Sequence, residues 1–95
     1  MGGLEHKMAL VMEANKILYH LTNSDIETIK KIGLPAKEVA ERYGVSAGAF
    51  RVRVSGIMDK LGVENRVALA IKAIQLGLVS IDDFEVRVFH NGKDW

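Results

Sequence analysis

Cysteine is absent from this 95-residue chain, which excludes a disulfide framework and any thiolate metal site. Proline occurs once, at Pro35. No apolar run approaches the roughly 18–20 residues of a membrane span. The opening Met1-Gly2-Gly3 leads into Glu5, His6 and Lys7, not into the apolar stretch of a signal peptide. The expected location is therefore the cytoplasm, with no membrane partner. Neither sign of charge dominates, the formal net charge being +1. His6, His20 and His90 are scattered, so neither a metal site nor a cofactor is expected. No Ser/His/Asp set, carboxylate pair or Gly-rich phosphate loop stands out, and an enzyme is not expected. What is left is one small domain, 48% apolar, long enough for a modest core.

The informative stretch runs from Ala36 to Leu61. It reads as a short helix, a tight turn at Gly44, and a longer helix beginning just after Ser46. Gly44 suits the left-handed conformation that ends a helix, and Ser46 can cap the next by accepting from orphan backbone N–H groups. This is the layout of a helix-turn-helix, whose second helix enters the DNA major groove.

At 100° per residue, Phe50, Val54, Ile57 and Leu61 form one stripe that must face a core. The opposite side holds Gly48, Val52, Ser55, Gly56 and Asp59, flanked by Arg51 on one side and by Ala49, Arg53 and Lys60 on the other. An ordinary solvated face is filled with strong helix formers. Each glycine here costs about 0.8–1 kcal/mol against alanine. Small side chains let something bulky approach, flanking cations suit phosphates, and an exposed valine can meet a thymine methyl.

These residues resemble the LuxR/GerE-type DNA-binding domain of bacterial transcription regulators. The resemblance covers roughly residues 21 to 78. It runs through Leu21-Thr22, Glu27, Lys37-Glu38-Val39-Ala40, Val45-Ser46, Val52 to Val63 and Asn65-Arg66-Val67. The exit Lys60-Leu61-Gly62-Val63 into a fourth helix is its most specific part. The resemblance implies that Arg51, Val52 and Ser55 face base edges or nearby phosphates and that Lys60 contacts the DNA backbone. Lys37, Ser46, Arg53 and Arg66 complete the expected DNA-binding set. The chain departs from the family at Asn23-Ser24-Asp25, at the short Gly33-Leu34-Pro35 turn, at Ala49 and at Arg53.

Outside this stretch, residues 4 to 20 read as a helix with two apolar stripes: Leu4, Met8, Val11 and Leu18, with Asn15 filling the gap, and Leu10, Ala14, Ile17 and Leu21. One domain can cover only one of them. The helix either packs on its own domain or pairs with its copy, with Asn15 as a register residue in the seam. Residues 23 to 32 read as a helix capped by Thr22 or Ser24 and ended by Gly33-Leu34-Pro35. Val39, Ala40 and Tyr43 should face inward from the helix over 36–43. Helix 65–76 also has two stripes, Val67, Ala70, Ile71 and Ile74 on one side and Leu69, Ala73 and Leu76 on the other. The first is expected in the core and the second at a dimer contact, which is where the resemblance puts this helix; alternatively the N-terminal helix covers the second stripe. Phe84 to Phe89 alternates like a strand, followed by the turn-like Asn91-Gly92. A lone strand needs a partner.

The sequence thus predicts an all-α, LuxR-type four-helix helix-turn-helix domain over residues 21–79. An extra N-terminal helix occupies 1–20 and a short strand-like tail 80–95. The expected function is a stand-alone DNA-binding transcription regulator that acts as a homodimer on double-stranded DNA. No receiver or ligand-sensing part is visible ahead of the helix-turn-helix. From Lys37 to Arg66 six cations (Lys37, Arg42, Arg51, Arg53, Lys60, Arg66) face four anions (Glu38, Glu41, Asp59, Glu64), a small excess that leaves dimerisation to supply affinity. The alternative is a protein-interaction module on the same scaffold, binding RNA polymerase or another regulator. A sigma-factor promoter-reading domain shares the tri-helical layout but lacks the Lys60-to-Val63 exit.

Overall fold

The structure, a computed structural model, describes residues 3–87, with side chains from Lys7 onward. Leu4, His6, Phe89, His90 and the Asn91-Gly92 turn thus lie outside the described side chains. Five helices follow one another: α1 (Gly3–Leu18), α2 (Asn23–Ile29), α3 (Ala36–Tyr43), α4 (Ala47–Leu61) and α5 (Arg66–Gln75). Among the described residues a 3₁₀ turn over Ile81–Asp83 is the last regular element, and no strand occurs. The all-α helix-turn-helix architecture is as the sequence predicts.

Local chemistry sets the helix boundaries. Thr22 and Asp25 form a capping box at α2: the Thr22 hydroxyl accepts from the Asp25 amide at 3.1 Å, and the Thr22 amide donates to Asp25 Oδ2 at 3.0 Å. Ser46 caps α4 by accepting from the Ala49 amide at 2.9 Å, and Asn65 caps α5 by accepting from the Ala68 amide at 2.8 Å. Gly44 ends α3 at φ 70° and Gly62 ends α4 at φ 69°, a region that penalises any Cβ. Beyond Gly62 the Val63 amide reaches back to the Met58 carbonyl, closing a Schellman turn.

Phe50, Val54, Ile57 and Leu61 are the buried residues of α4, as expected. They meet Ile26 and Ile29 of α2, Val39 of α3, Leu69 and Ala73 of α5, and Leu78 and Val79 beyond it. Helix α4 is the hub, packed on α2, α3 and α5. This leaves its opposite face to solvent. Tyr43 does not face inward: it is 44% exposed, under the Lys31 ammonium at 4.6 Å, and hydrogen-bonded to the Glu85 carboxylate.

Apart from Ala70, which packs partly on the core, the two stripes of α5 are the reverse of the sequence expectation. Leu69 and Ala73 are fully buried and Leu76 is half-buried, whereas Val67 is 70% and Ile71 51% exposed. Leu69 and Ala73 therefore cannot form the outer contact assigned to them, and Leu76 is turned partly onto the core. Periodicity reveals two apolar faces but not which one is nearer the core. Arg66 lies on the same side of α5 as the buried Leu69 and Ala73: its guanidinium donates to the Ile32 and Leu34 carbonyls and lies over the Phe50 ring.

Helix α1 lies against the far end of α5. Asn15 Nδ2 donates to the Leu76 carbonyl, Val11 lies beside Gly77, and Met12 and Tyr19 pack on the core. Asn15 is therefore engaged within the chain, while Leu10, Val11, Ile17 and Leu18 remain exposed. The tail also finds its partner within the chain. Residues 84–87 are extended without forming a strand, Phe84 packs on the core, and the Glu85 amide donates to the Lys30 carbonyl at 2.8 Å.

Candidate nucleic-acid interface

The outer face of α4 is built by exclusion, because four apolar side chains point its other face into the core. Arg51, Val52, Arg53, Ser55, Gly56, Asp59 and Lys60 are all exposed, Val52 at 73%. A Cβ added at Gly48 or Gly56 would meet nothing within 4 Å, so the backbone there is open to a bulky partner. Arg51 has no ion-pair or hydrogen-bond partner among the described residues. Its guanidinium is available to an external acceptor.

A groove lies along one flank of this face, between α4 and the start of α2. Asp25, Ala49, Val52, Arg53, Gly56, Ile57 and Lys60 line it. Lys60 Nζ donates to Asp25 Oδ2 and to the His20 carbonyl, both at 3.0 Å. Arg53 Nη1 donates to Ser24 Oγ at 2.6 Å and stands 4.0 Å from Asp25 Oδ1. Burial acts to raise the Asp25 carboxyl, but the Thr22 amide and the Lys60 ammonium outweigh it and hold the group below the ordinary carboxylate range. Asp25 is thus a fixed negative charge between two cations expected at phosphates.

The remaining expected residues divide. Val52, Arg53 and Lys60 meet in the groove, and Arg51 and Ser55 share the exposed face of α4 with them. Ser46 sits at the helix start with its hydroxyl engaged as the cap. Lys37 lies beside Pro35, Glu38, Glu41 and Arg87, in a depression that shares no residue with the groove. Arg66 is half-buried and turns Nη1 into the fold, where it donates to the Ile32 and Leu34 carbonyls, so its guanidinium is already engaged within the chain. Sequence reasoning missed Asp25 and Ser24 as parts of the site. The Thr22-x-x-Asp25 spacing announces a capping box, but nothing local announces a pairing with Lys60 thirty-five residues away.

No family model matches the chain, and no solved structure matches it. Among curated proteins it is similar to the transcriptional regulatory protein LnrK of Bacillus subtilis, 35% identical over 63 residues, which cover 64% of this chain and 29% of that protein. It is likewise similar to the transcriptional regulatory protein YdfI of the same organism, 34% identical over 65 residues, 66% of this chain and 30% of that protein. A different likeness is to the ketoisovalerate oxidoreductase subunit VorA of Methanothermobacter marburgensis, 29% identical over 92 residues, 90% of this chain and 19% of that protein. The chain thus spans less than a third of the length of these relatives.

Proposed function

We propose that this protein is a LuxR-type, sequence-specific DNA-binding transcription regulator. Helix α4 lies in the major groove, with Arg51, Val52 and Ser55 toward the bases. The observation that carries the reading is the outer face of α4: two glycines, an exposed valine and an arginine without a partner among the described residues, on a helix that Ser46 caps. The likeness to two transcriptional regulatory proteins supports the regulator role. The reading includes no enzymatic activity and places the protein in the cytoplasm. No helix among the described residues is long and apolar enough to cross a membrane.

Affinity per chain is modest in this reading, because Arg66 is used inside the fold and Lys60 and Arg53 already have partners. We therefore propose a homodimer through the exposed α5 stripe Val67, Ile71 and Ile74, which replaces the buried residues first expected there. Two-fold symmetry then sets the recognition helices about 34–36 Å apart and requires a palindromic site.

Selection of bound duplexes from a random pool, followed by fluorescence anisotropy over a salt series, tests the proposal. The expected result is an enriched inverted repeat and a log–log salt slope of roughly −2 to −4 per chain. Arg51→Ala should cost about 1–3 kcal/mol of specific binding, and Val52→Glu more, with melting temperature unchanged because both side chains are exposed.

A second reading, a protein-interaction module, has its own support. The VorA match covers so much of this chain that it must include parts of both α1 and the tail, in a protein named as an enzyme subunit. Absence of duplex binding even at low salt would favour this reading.

A further inference from the structure

The Asp25 carboxylate belongs to neither the core nor the α4 face, and it touches both. Its capping task needs only an acceptor oxygen for the Thr22 amide. Its charge serves something else: it holds Lys60 Nζ at 3.0 Å and stands 4.0 Å from Arg53 Nη1, and all three residues line the groove beside Val52 and Gly56. A phosphate is the same kind of acceptor as this carboxylate, an oxyanion that prefers Lys and Arg donors. A nucleic-acid strand lying along α4 therefore meets two cations whose charge is already countered.

We propose that Asp25 is an internal competitor for the DNA backbone, restraining affinity by occupying Lys60 and Arg53 until a phosphate takes its place. This rests on the DNA-binding reading above. The carboxylate cannot leave with the cations, because the capping box pins it to Thr22. Its burial on the α2 side also keeps water from screening the pair fully, side-chain exposure being 9% for Asp25 and 38% for Lys60. The groove then favours duplexes whose backbone approaches closely enough to displace it, and weak encounters gain little from Lys60. Asp25 is in this sense a specificity-determining residue that need not touch DNA.

The test uses the full chain and a duplex from the selected pool. Asp25→Asn keeps an oxygen for the Thr22 amide and removes the charge. Asp25→Ser serves as a second variant should the first fail to fold, with circular dichroism melts as the check. Expected for Asp25→Asn is roughly two- to fivefold tighter binding, the scale of one partly exposed ion pair. The salt slope should steepen by about one to two, as freed cations release counterions, and discrimination between selected and random duplexes should narrow. Lys60→Ala should cost more affinity in the Asp25→Asn background than in the native one. Binding by the native chain that Asp25→Asn leaves unchanged in strength and slope overturns the inference alone. Failure of both proteins to bind any duplex overturns the DNA-binding reading and this inference with it.

Discussion

Asn15 Nδ2 donates to the backbone carbonyl of Leu76 at 2.6 Å, joining the last turn of α1 to the end of α5 across sixty-one residues of chain. Leu76 is the C-cap residue just past the last turn of α5, where helix ends leave carbonyls without an intrahelical partner. One amide side chain thus satisfies that end and fixes how α1 lies on the domain. Asn15→Ala removes this part-buried bond and should lower stability by about 1 kcal/mol. Amide exchange should rise throughout α1 and hardly change in α4. Equal loosening of both helices would show that α1 is not held by this contact.

Arg66 is expected to behave as a structural residue and not as a phosphate contact. Arg66→Met keeps most of the apolar stem but leaves the Ile32 and Leu34 carbonyls without their donor and ends the contact with Phe50. Destabilisation of about 2–3 kcal/mol is expected, read as the midpoint shift in urea. DNA affinity measured well below the melting temperature should change little. A large loss of affinity in a protein of unchanged stability would return Arg66 to the interface.

Gly33 matters for the space beside it. A Cβ there would stand 2.7 Å from the Glu85 carbonyl oxygen and 3.4 Å from Val86. Gly33→Val should push the tail away, break the Glu85–Lys30 backbone bond and separate Glu85 from Tyr43 and Arg42. The tail should then be cut by protease near residues 84–87 at concentrations that spare the native chain. Unchanged proteolysis would show that the tail is held elsewhere.

The two faces of α5 give opposite expectations. Val67→Glu with Ile71→Glu lies on exposed positions, so it should leave a folded chain that has lost the proposed dimer by light scattering and binds its palindrome much more weakly. Leu69→Glu buries a charge at a site without solvent and should prevent folding. A double variant that stays dimeric moves the interface to the exposed side of α1.

Acid should act on Asp25. Its folded-state value lies below the ordinary 3.8, so its stabilising contribution is complete above that value and is lost as pH falls through the lower folded one. Asp25→Asn should accordingly flatten the stability profile below about pH 4, compared by thermal melts in matched buffers.

How much of this was legible in the sequence follows from the range of each interaction. The helix-turn-helix was, because its signals are local: Gly44 and Gly62 accept positive φ, Ser46 caps the helix that begins beside it, and Phe50, Val54, Ile57 and Leu61 repeat on one helical face. The outer face of α4 followed as the complement of that stripe. What only the tertiary structure decided is pairing at long range. Periodicity gave α5 two apolar faces of equal standing; the packing of Leu69 and Ala73 on the α4 core, together with the contact of Arg66 with carbonyls from the α2–α3 connection, goes with one of them. Lys60, Arg53 and Arg66 look alike in a charge count. Their different fates depend on which carboxylate, hydroxyl or carbonyl the fold brings within about 3 Å, and such partners lie roughly thirty residues away in the chain. Residues 84–89 alternate like a strand, yet the described part, 84–87, docks without forming one, and the missing side chain of Gly33 leaves room for its backbone.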